Sequence, residues 1–285
     1  VMLGVSGGIY IVPLYALVQQ RSNAKKLSRI IAANNVLNAL FIVAAALYGM
    51  FALSAGIDIP TLFLIMAIMN AAVTLFIFKL VPEFIMRLLI WLVIHFAYRV
   101  RKIDLDKIPD TGPALLVCNH VSFVDALVLA GCIRRPIRFV MYYRIFQLPI
   151  LSFVFKTANA IPIAGAREDA PMMNRAFDRI GEALKQGDLV CIFPEGKLTE
   201  NGEMDSFRPG VRKILERDAV PVVPLALRGL WGSFFSRKYG SAMTRWFPRG
   251  WFSKIDLIAG DAIEARNVSL DTLYQQVSAL RGDIR

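Results

Sequence analysis

Charge is nearly missing from the first part of this sequence. Of 33 basic and 22 acidic residues in 285, only five and one fall in residues 1–81, leaving 28 and 21 for the remainder. Cysteine is scarce as well. Cys118, Cys132 and Cys191 are odd in number and show no C-x-x-C spacing, which excludes a disulfide framework and gives no metal-ligand pattern. Two of them lie in strand-like apolar runs, as expected of buried reduced thiols. Histidine is scarcer still: His95 and His120 are the only two. The apolar run that begins at Val1 shows neither a basic n-region nor a cleavage site, so it is not expected to be a signal peptide. No internal repeat or low-complexity tract is visible.

What is present is apolar. The chain is 56% hydrophobic, too much for an ordinary soluble protein of this length. Residues 1–18 are apolar and Gly-rich and fit all or most of a membrane span. Ile30–Leu53 is an uncharged run of 24 residues and Ile59–Phe78 one of 20, separated by "SAGID". About 20 such residues cross a bilayer. The predicted spans are therefore 1–18, 30–53 and 59–81. Arg21, Lys25, Lys26 and Arg29 flank one open end of the resulting hairpin and Lys79 and Arg87 the other, while its turn has neither Lys nor Arg. Positive charge stays on the cytoplasmic side, so the turn at 54–58 is expected outside and both open ends inside. Asn34, Asn35, Asn38 and Asn70 in these spans call for polar partners. They are expected either across the hairpin or on further helices upstream, which would make the sequence a fragment of a longer one.

Residues 83–102 mix a long apolar face with Trp91, Tyr98, His95 and four cations, and read as an amphipathic helix lying in the membrane interface. From residue 103 the pattern changes. Short apolar runs at Ala114–Cys118, Ile137–Tyr142, Ala160–Ile163, Leu189–Phe193, Val220–Leu227 and Lys254–Ile258 read as strands. Helical stretches fall at Val124–Cys132, Ile145–Lys156, Pro171–Gln186, Gly210–Arg217 and Ser269–Leu280. Such alternation predicts an α/β domain over 103–285, a mainly parallel sheet flanked by helices. Its ligand site belongs at the carboxyl ends of the strands.

Three loops follow three of these strands. In "CNHVSFVDAL", His120 leaves the first strand and Asp125 falls in the first turn of the next helix. On one continuous helix the two would project about 140° apart and never meet; on a turn leading into a helix the carboxylate can reach back to the imidazole. A carboxylate on one ring nitrogen fixes the tautomer and leaves the other nitrogen as a general base. Ser122, between them, reads as a helix cap, and no G-x-S-x-G elbow supplies an enzyme nucleophile. The nucleophile is then a substrate hydroxyl. In "CIFPEGKLTENGEMDSFRPG", Lys197, Thr199 and Arg208 offer donors suited to a phosphate. In "NAIPIAGAREDA" a strand delivers Gly165 and Arg167.

Taken together and in this order, these stretches resemble the glycerolipid acyltransferase family, which acylates glycerol phosphate and lysophospholipids. The N-H-x4-D motif is matched by Asn119, His120 and Asp125, the F-P-E-G motif by Phe193, Pro194, Glu195 and Gly196, and a V-P-I-V-P type strand by "VPVVP" at 220–224. The resemblance covers roughly residues 84–265. It implies His120 and Asp125 as the catalytic pair, and an acceptor site formed by Asn119, Arg167, Phe193, Pro194, Glu195, Gly196, Lys197, Thr199 and Arg208. It implies an acyl thioester on acyl carrier protein or coenzyme A as co-substrate, a lysophospholipid acceptor, and neither metal nor cofactor. Two departures stand out. Leu198 occupies a position where the family commonly has arginine, and the arginine after the 160–163 strand is delayed to Arg167. Both weigh against lysophosphatidic acid as acceptor. The sequence is more closely similar to bacterial 2-acylglycerophosphoethanolamine acyltransferases. These can be fused to a major-facilitator lysophospholipid transporter before the acyltransferase and to an acyl-carrier-protein ligase after it. That likeness implies that residues 1–82 are the end of a transporter-like domain, that the protein sits in a bacterial inner membrane, and that its catalytic domain is cytoplasmic. Two other readings are a transporter piece with a regulatory attachment and a lipid-binding module without turnover.

Overall fold

A computed structural model describes residues 26–80, 82–147, 149–240 and 253–283, with scattered positions between 7 and 22; the side chains of 78–85 and 149–151 are outside the description. The chain divides into two compact units, Val1–Ile77 and Phe78–Arg285.

The first unit contains helix α1 (Leu27–Ser54) and most of helix α2 (Ile59–Leu80). Both are long and apolar enough to cross a membrane. Along α1 only Ala52 is buried, so its apolar side chains face outward, as lipid-facing residues do. The Asn34 and Asn38 amides both donate to the Tyr15 hydroxyl, at 3.0 and 2.8 Å, a partner not anticipated for them. Most of the expected span at 1–18 lies outside the described residues.

The second unit opens with helix α3 (Pro82–Ala97), and here the structure departs from the expected interfacial helix at 83–102. The helix stops at Ala97, and residues 98–102 belong to strand β1 (Tyr98–Ile103). Tyr98 and Val100 point into the core while Arg99 and Arg101 alternate outward, a period-2 pattern that "YRVRK" satisfies better than a helix face. Helix α3 also has a packed side. Ile94 and Met86 are buried, whereas Leu89, Trp91, Leu92, Val93 and Phe96 remain exposed.

The remaining strands are β2 (Ala114–Cys118), β3 (Ile137–Tyr142), β4 (Ile161–Ile163), β5 (Leu189–Ile192), β6 (Val222–Arg228) and β7 (Ser253–Ala259). They form a seven-stranded sheet in the order β1-β7-β6-β2-β5-β3-β4. The five strands from β6 to β4 are parallel; β7 is antiparallel to β6 and parallel to β1. All five residues of β2 are buried, which explains its continuous apolar sequence: a central strand covered on both faces has no polar side. Ala114, Leu116 and Cys118 face one core; Leu115 and Val117 face the other.

Helices α3, α4 (Asp125–Cys132) and α5 (Pro149–Thr157) cover the first face. Helices α6 (Ala170–Lys185), α7 (Gly210–Arg217) and α8 (Leu270–Arg281) cover the second. The single helix expected over 145–156 is instead a 3-10 turn at Tyr143–Gln147 followed by α5, whose first residue is Pro149. Proline is preset for a first helical position and disfavours helix in the residue before it. The three cysteines are buried.

Candidate active site

Strands β2 and β5 are neighbours, with Val117 opposite Ile192, so the turns that leave their carboxyl ends lie side by side. The first turn begins at Asn119, which is fully buried. Its amide nitrogen donates to the Leu227 carbonyl at 3.0 Å and its amide oxygen accepts the Leu227 N–H at 2.8 Å. Asn119 therefore ties the end of β2 to β6 with both polar atoms of its amide.

Asp125 opens α4, where the helix dipole favours a carboxylate. Its Oδ2 accepts three hydrogen bonds: the Val121 N–H at 2.7 Å, the Ser122 N–H at 3.0 Å and His120 Nδ1 at 2.8 Å. The two N–H bonds wrap the turn around the carboxylate and deliver the imidazole to it. With Nδ1–H donating to Asp125, Nε2 carries the lone pair. Asp125 is wholly buried and the His120 side chain 22% exposed, so the ring alone reaches the surface. Asp125 Oδ1 is buried without a partner among the described residues. Ser122 differs from expectation: α4 has Val124 at its N-cap and no side-chain cap, and Ser122 Oγ stands 3.4 Å from the Val124 nitrogen. Its N–H serves Asp125 instead.

The second turn supports the first. Phe193 stacks on the His120 ring, centroids 4.2 Å apart and planes 20° from parallel. Pro194 is buried and its carbonyl accepts the Arg208 N–H at 2.9 Å, which folds the loop back on itself. Glu195 is 2% exposed. Its Oε1 accepts the His120 N–H at 2.7 Å and its Oε2 the Asp205 N–H at 2.9 Å. Burial raises the Glu195 carboxyl above its usual range, against the opposing pull of those two N–H groups. Thr199 is buried too. Its N–H donates to the His120 carbonyl at 3.1 Å, and its hydroxyl donates to the Glu203 carbonyl and accepts the Gly202 N–H. Asn119, Glu195 and Thr199, expected against the acceptor, are thus turned inward and spend their polar atoms on the protein. Sequence alone did not separate them from the outward residues, because a buried acid in a turn looks like an exposed one.

Gly196, Lys197, Arg208 and Arg167 do face outward. Gly196 has φ +68°, and a Cβ there would come within 2.8 Å of the Arg208 guanidinium, so glycine allows both the turn and the close approach. Lys197 pairs with Asp205 at 3.2 Å. Leu198 is buried, so that position places no cation at the surface. Arg167 is exposed on the loop after β4, and no hydrogen bond or ion pair involves it among the described residues. Beside it is a cluster that the sequence did not reveal. Glu168 accepts from the Tyr142 and Tyr143 hydroxyls at 2.8 and 3.0 Å and from Arg144 at 3.0 Å. Its residues come from the carboxyl ends of β3 and β4, the same edge as His120; that placement was the one available signal. His95 is elsewhere, on α3, stacked on Trp91 with Nδ1 2.9 Å from the Trp91 carbonyl oxygen.

Burial raises the thiols of Cys118 and Cys191, which keeps them protonated and poor as nucleophiles. A small cleft lies between α3, α4 and β3, lined by Met86, Ile90, Ala130, Ile137, Phe139 and Ala158 with Arg87, Arg135 and Pro136. Ala130 is five residues along α4 from Asp125, ~7.5 Å of helix rise.

Residues 99–228 match the protein family described as Acyltransferase. A chloroplastic 1-acyl-sn-glycerol-3-phosphate acyltransferase of Arabidopsis thaliana is 30% identical over 182 residues, 63% of this chain and 50% of that protein. A 1-acyl-sn-glycerol-3-phosphate acyltransferase of Pseudomonas aeruginosa is 31% identical over 144 residues, 49% of this chain and 54% of the other. The chain spans about half the length of these curated relatives. The crystal structure of the 1-acyl-sn-glycerophosphate acyltransferase of Thermotoga maritima superposes with a TM-score of 0.50 at 17% identity, covering 85% of this chain and 95% of that one. The layered, mostly parallel sheet is thus the fold of that structure, and the acyltransferase family match at 99–228 falls on the part of the sheet that carries His120 and Asp125.

Proposed function

We propose that the protein transfers a fatty acyl group from an acyl thioester to the hydroxyl of a lysophospholipid. The observation that carries this reading is the His120–Asp125 contact: a buried carboxylate fixes Nδ1 and leaves Nε2 at a half-open surface. His120 Nε2 takes the proton of the acceptor hydroxyl as its oxygen attacks the thioester carbonyl. Main-chain donors at the carboxyl edge of the sheet hold the oxyanion. The intermediate collapses with cleavage of the C–S bond, and the imidazolium returns its proton to the departing sulfur, giving a free thiol. Asp125 orients the ring and stabilises its charged form. A thioester is already activated, so the reaction requires neither metal nor cofactor. Acyl carrier protein and coenzyme A present the same reacting group, and either serves as donor.

Gly196, Lys197, Arg208 and Arg167 form the acceptor's phosphate site in this reading. The names of the relatives favour 1-acylglycerol-3-phosphate as acceptor. The buried Leu198 favours a second candidate, 2-acylglycerophosphoethanolamine, whose phosphodiester carries less charge and calls for fewer cations. The two apolar helices support a membrane-bound enzyme. We assign them to the end of a transporter-like domain with the acyltransferase domain on the cytoplasmic side of a bacterial inner membrane, and place any ligase partner after it. Release of free thiol from acyl thioester, measured against a panel of lysophospholipids, tests the reading. Acceptor-dependent release lost in His120→Ala supports it; no release with any acceptor leaves a lipid-binding module or a transporter piece.

A further inference from the structure

We propose that Arg281, at the end of the C-terminal helix α8 and outside the family match at 99–228, is a positioning residue for His120. Arg281 is 7% exposed. Its guanidinium donates to the Gly202 carbonyl at 2.9 Å and to the Glu203 carboxylate at 2.8 Å. About two turns earlier, the Tyr274 hydroxyl donates to the Met204 carbonyl at 3.3 Å, and its ring meets Phe207 edge-on at 5.3 Å. The helix thus grips three consecutive residues, 202 to 204. The loop is confined from the other side as well: Gly202 has φ +86°, and a Cβ there would come within 2.8 Å of the Trp231 ring.

Two of these residues, and Asp205 next to them, are bound directly to the groups that hold His120. Gly202 and Glu203 bond the Thr199 hydroxyl, and the Thr199 N–H bonds the His120 carbonyl. Asp205, next in sequence, donates its N–H to Glu195, which accepts the His120 N–H with its other oxygen. The His120 peptide is therefore held through both its N–H and its C=O by a loop that α8 anchors. Arg281 Nε is buried without a partner among the described residues. Burying an unpartnered donor is unfavourable, so stability alone gives little reason for arginine at this place. Helix α8 is itself fixed to the sheet, since Arg228 on β6 donates to the Leu280 carbonyl.

The experiment compares the wild-type chain in detergent with Arg281→Ala and Arg281→Lys by amide hydrogen exchange and by steady-state thiol release. Only the kinetic arm rests on the acyl-transfer reading. Arg281→Ala is expected to speed exchange at the His120 and Thr199 amides about tenfold while the β2 amides stay protected. It is expected to lower kcat about tenfold with acceptor KM nearly unchanged, and Arg281→Lys to fall between. Added guanidinium should restore part of the Arg281→Ala activity and none of the wild type's. Unchanged exchange at those two amides, or a lowered melting temperature with wild-type kcat, overturns the proposal. If Arg281→Ala does not fold, Glu203→Gln and Tyr274→Phe are read in the same way. A wild type without turnover sinks the acyl-transfer reading, and the exchange arm still decides whether Arg281 holds the His120 loop.

Discussion

The ring of Phe193 lies almost flat on the imidazole of His120, so the two neighbouring turns meet through their side chains as well as through Glu195. Asp125 holds the imidazole at one nitrogen, and a single hydrogen bond leaves the ring free to rock; the phenyl face removes that freedom. Phe193→Ala should therefore lower kcat by about tenfold, ~1.4 kcal/mol of barrier, with Phe193→Leu less affected. His120→Ala should remove the whole contribution of a positioned base, about 10²–10⁴-fold. Asp125→Asn should be comparably severe because it can favour the wrong tautomer. Thiol-release rates, with circular dichroism to check the fold, decide these outcomes, and His95→Ala serves as a control that keeps its activity.

Glu195→Gln tests whether this side chain binds the acceptor or holds the loop. Both carboxylate oxygens accept main-chain N–H groups. An amide can accept only one and turns a donor toward the other, at a cost of about 1–3 kcal/mol for the group left unmatched. The expected result is a lower melting temperature and lower kcat with little change in acceptor KM. A raised KM with unchanged kcat would return Glu195 to the acceptor site.

Alkaline stability should report on Tyr98. Burial, with the Asp125 charge as a lesser cause, pushes its hydroxyl up to about 12 from an ordinary value of 10.0. Its folded pKa lies above its unfolded one, so its contribution to stability is fully present below pH 10 and is lost as pH rises through 12. Denaturant midpoints should hold up to pH 10 and fall between pH 10 and 12, and Tyr98→Phe should flatten that fall. A midpoint that drops equally in both proteins would assign the loss to other groups.

The cleft along α4 should set acyl-chain length if the donor's chain enters it. Ala130→Phe fills space beside Met86 and Ile137, and should shift selectivity toward shorter thioesters while short-chain kcat is kept. Rates on a chain-length series of donors check this. Uniform loss at all lengths would instead mark the cleft as packing that Phe disrupts.

Much of the fold was legible because the central strands β2 and β5 have uninterrupted apolar sequences and helices such as α6 and α7 amphipathic ones. Ala114–Cys118, Ile137–Tyr142 and Gly210–Arg217 match the structure to the residue. Strand β1 was not legible. Its cations follow directly on the apolar run of α3, and no glycine or proline between Arg87 and Ile103 marks the change from helix to strand. The His120–Asp125 pair was legible because a strand-turn-helix brings i and i+5 together. The inward turn of Asn119, Glu195 and Thr199 was not, since it depends on partners at Leu227, Asp205 and Glu203 that local spacing does not specify.

Strand β1 pairs with β7, and Arg101 finds Asp256 there, 155 residues further along the chain. On a ribosome adding about 5–20 residues per second, β1 waits roughly 8–30 s for its partner. Throughout that interval its N–H and C=O groups form an open template beside the emerging apolar helix α3. An open strand edge recruits other chains. Arg99, Arg101 and Lys102 give the waiting strand three positive charges in four residues, so two nascent copies repel each other where they would otherwise zip together. Asp256 then makes the late partner distinguishable from a second β1, which carries no acid to meet Arg101.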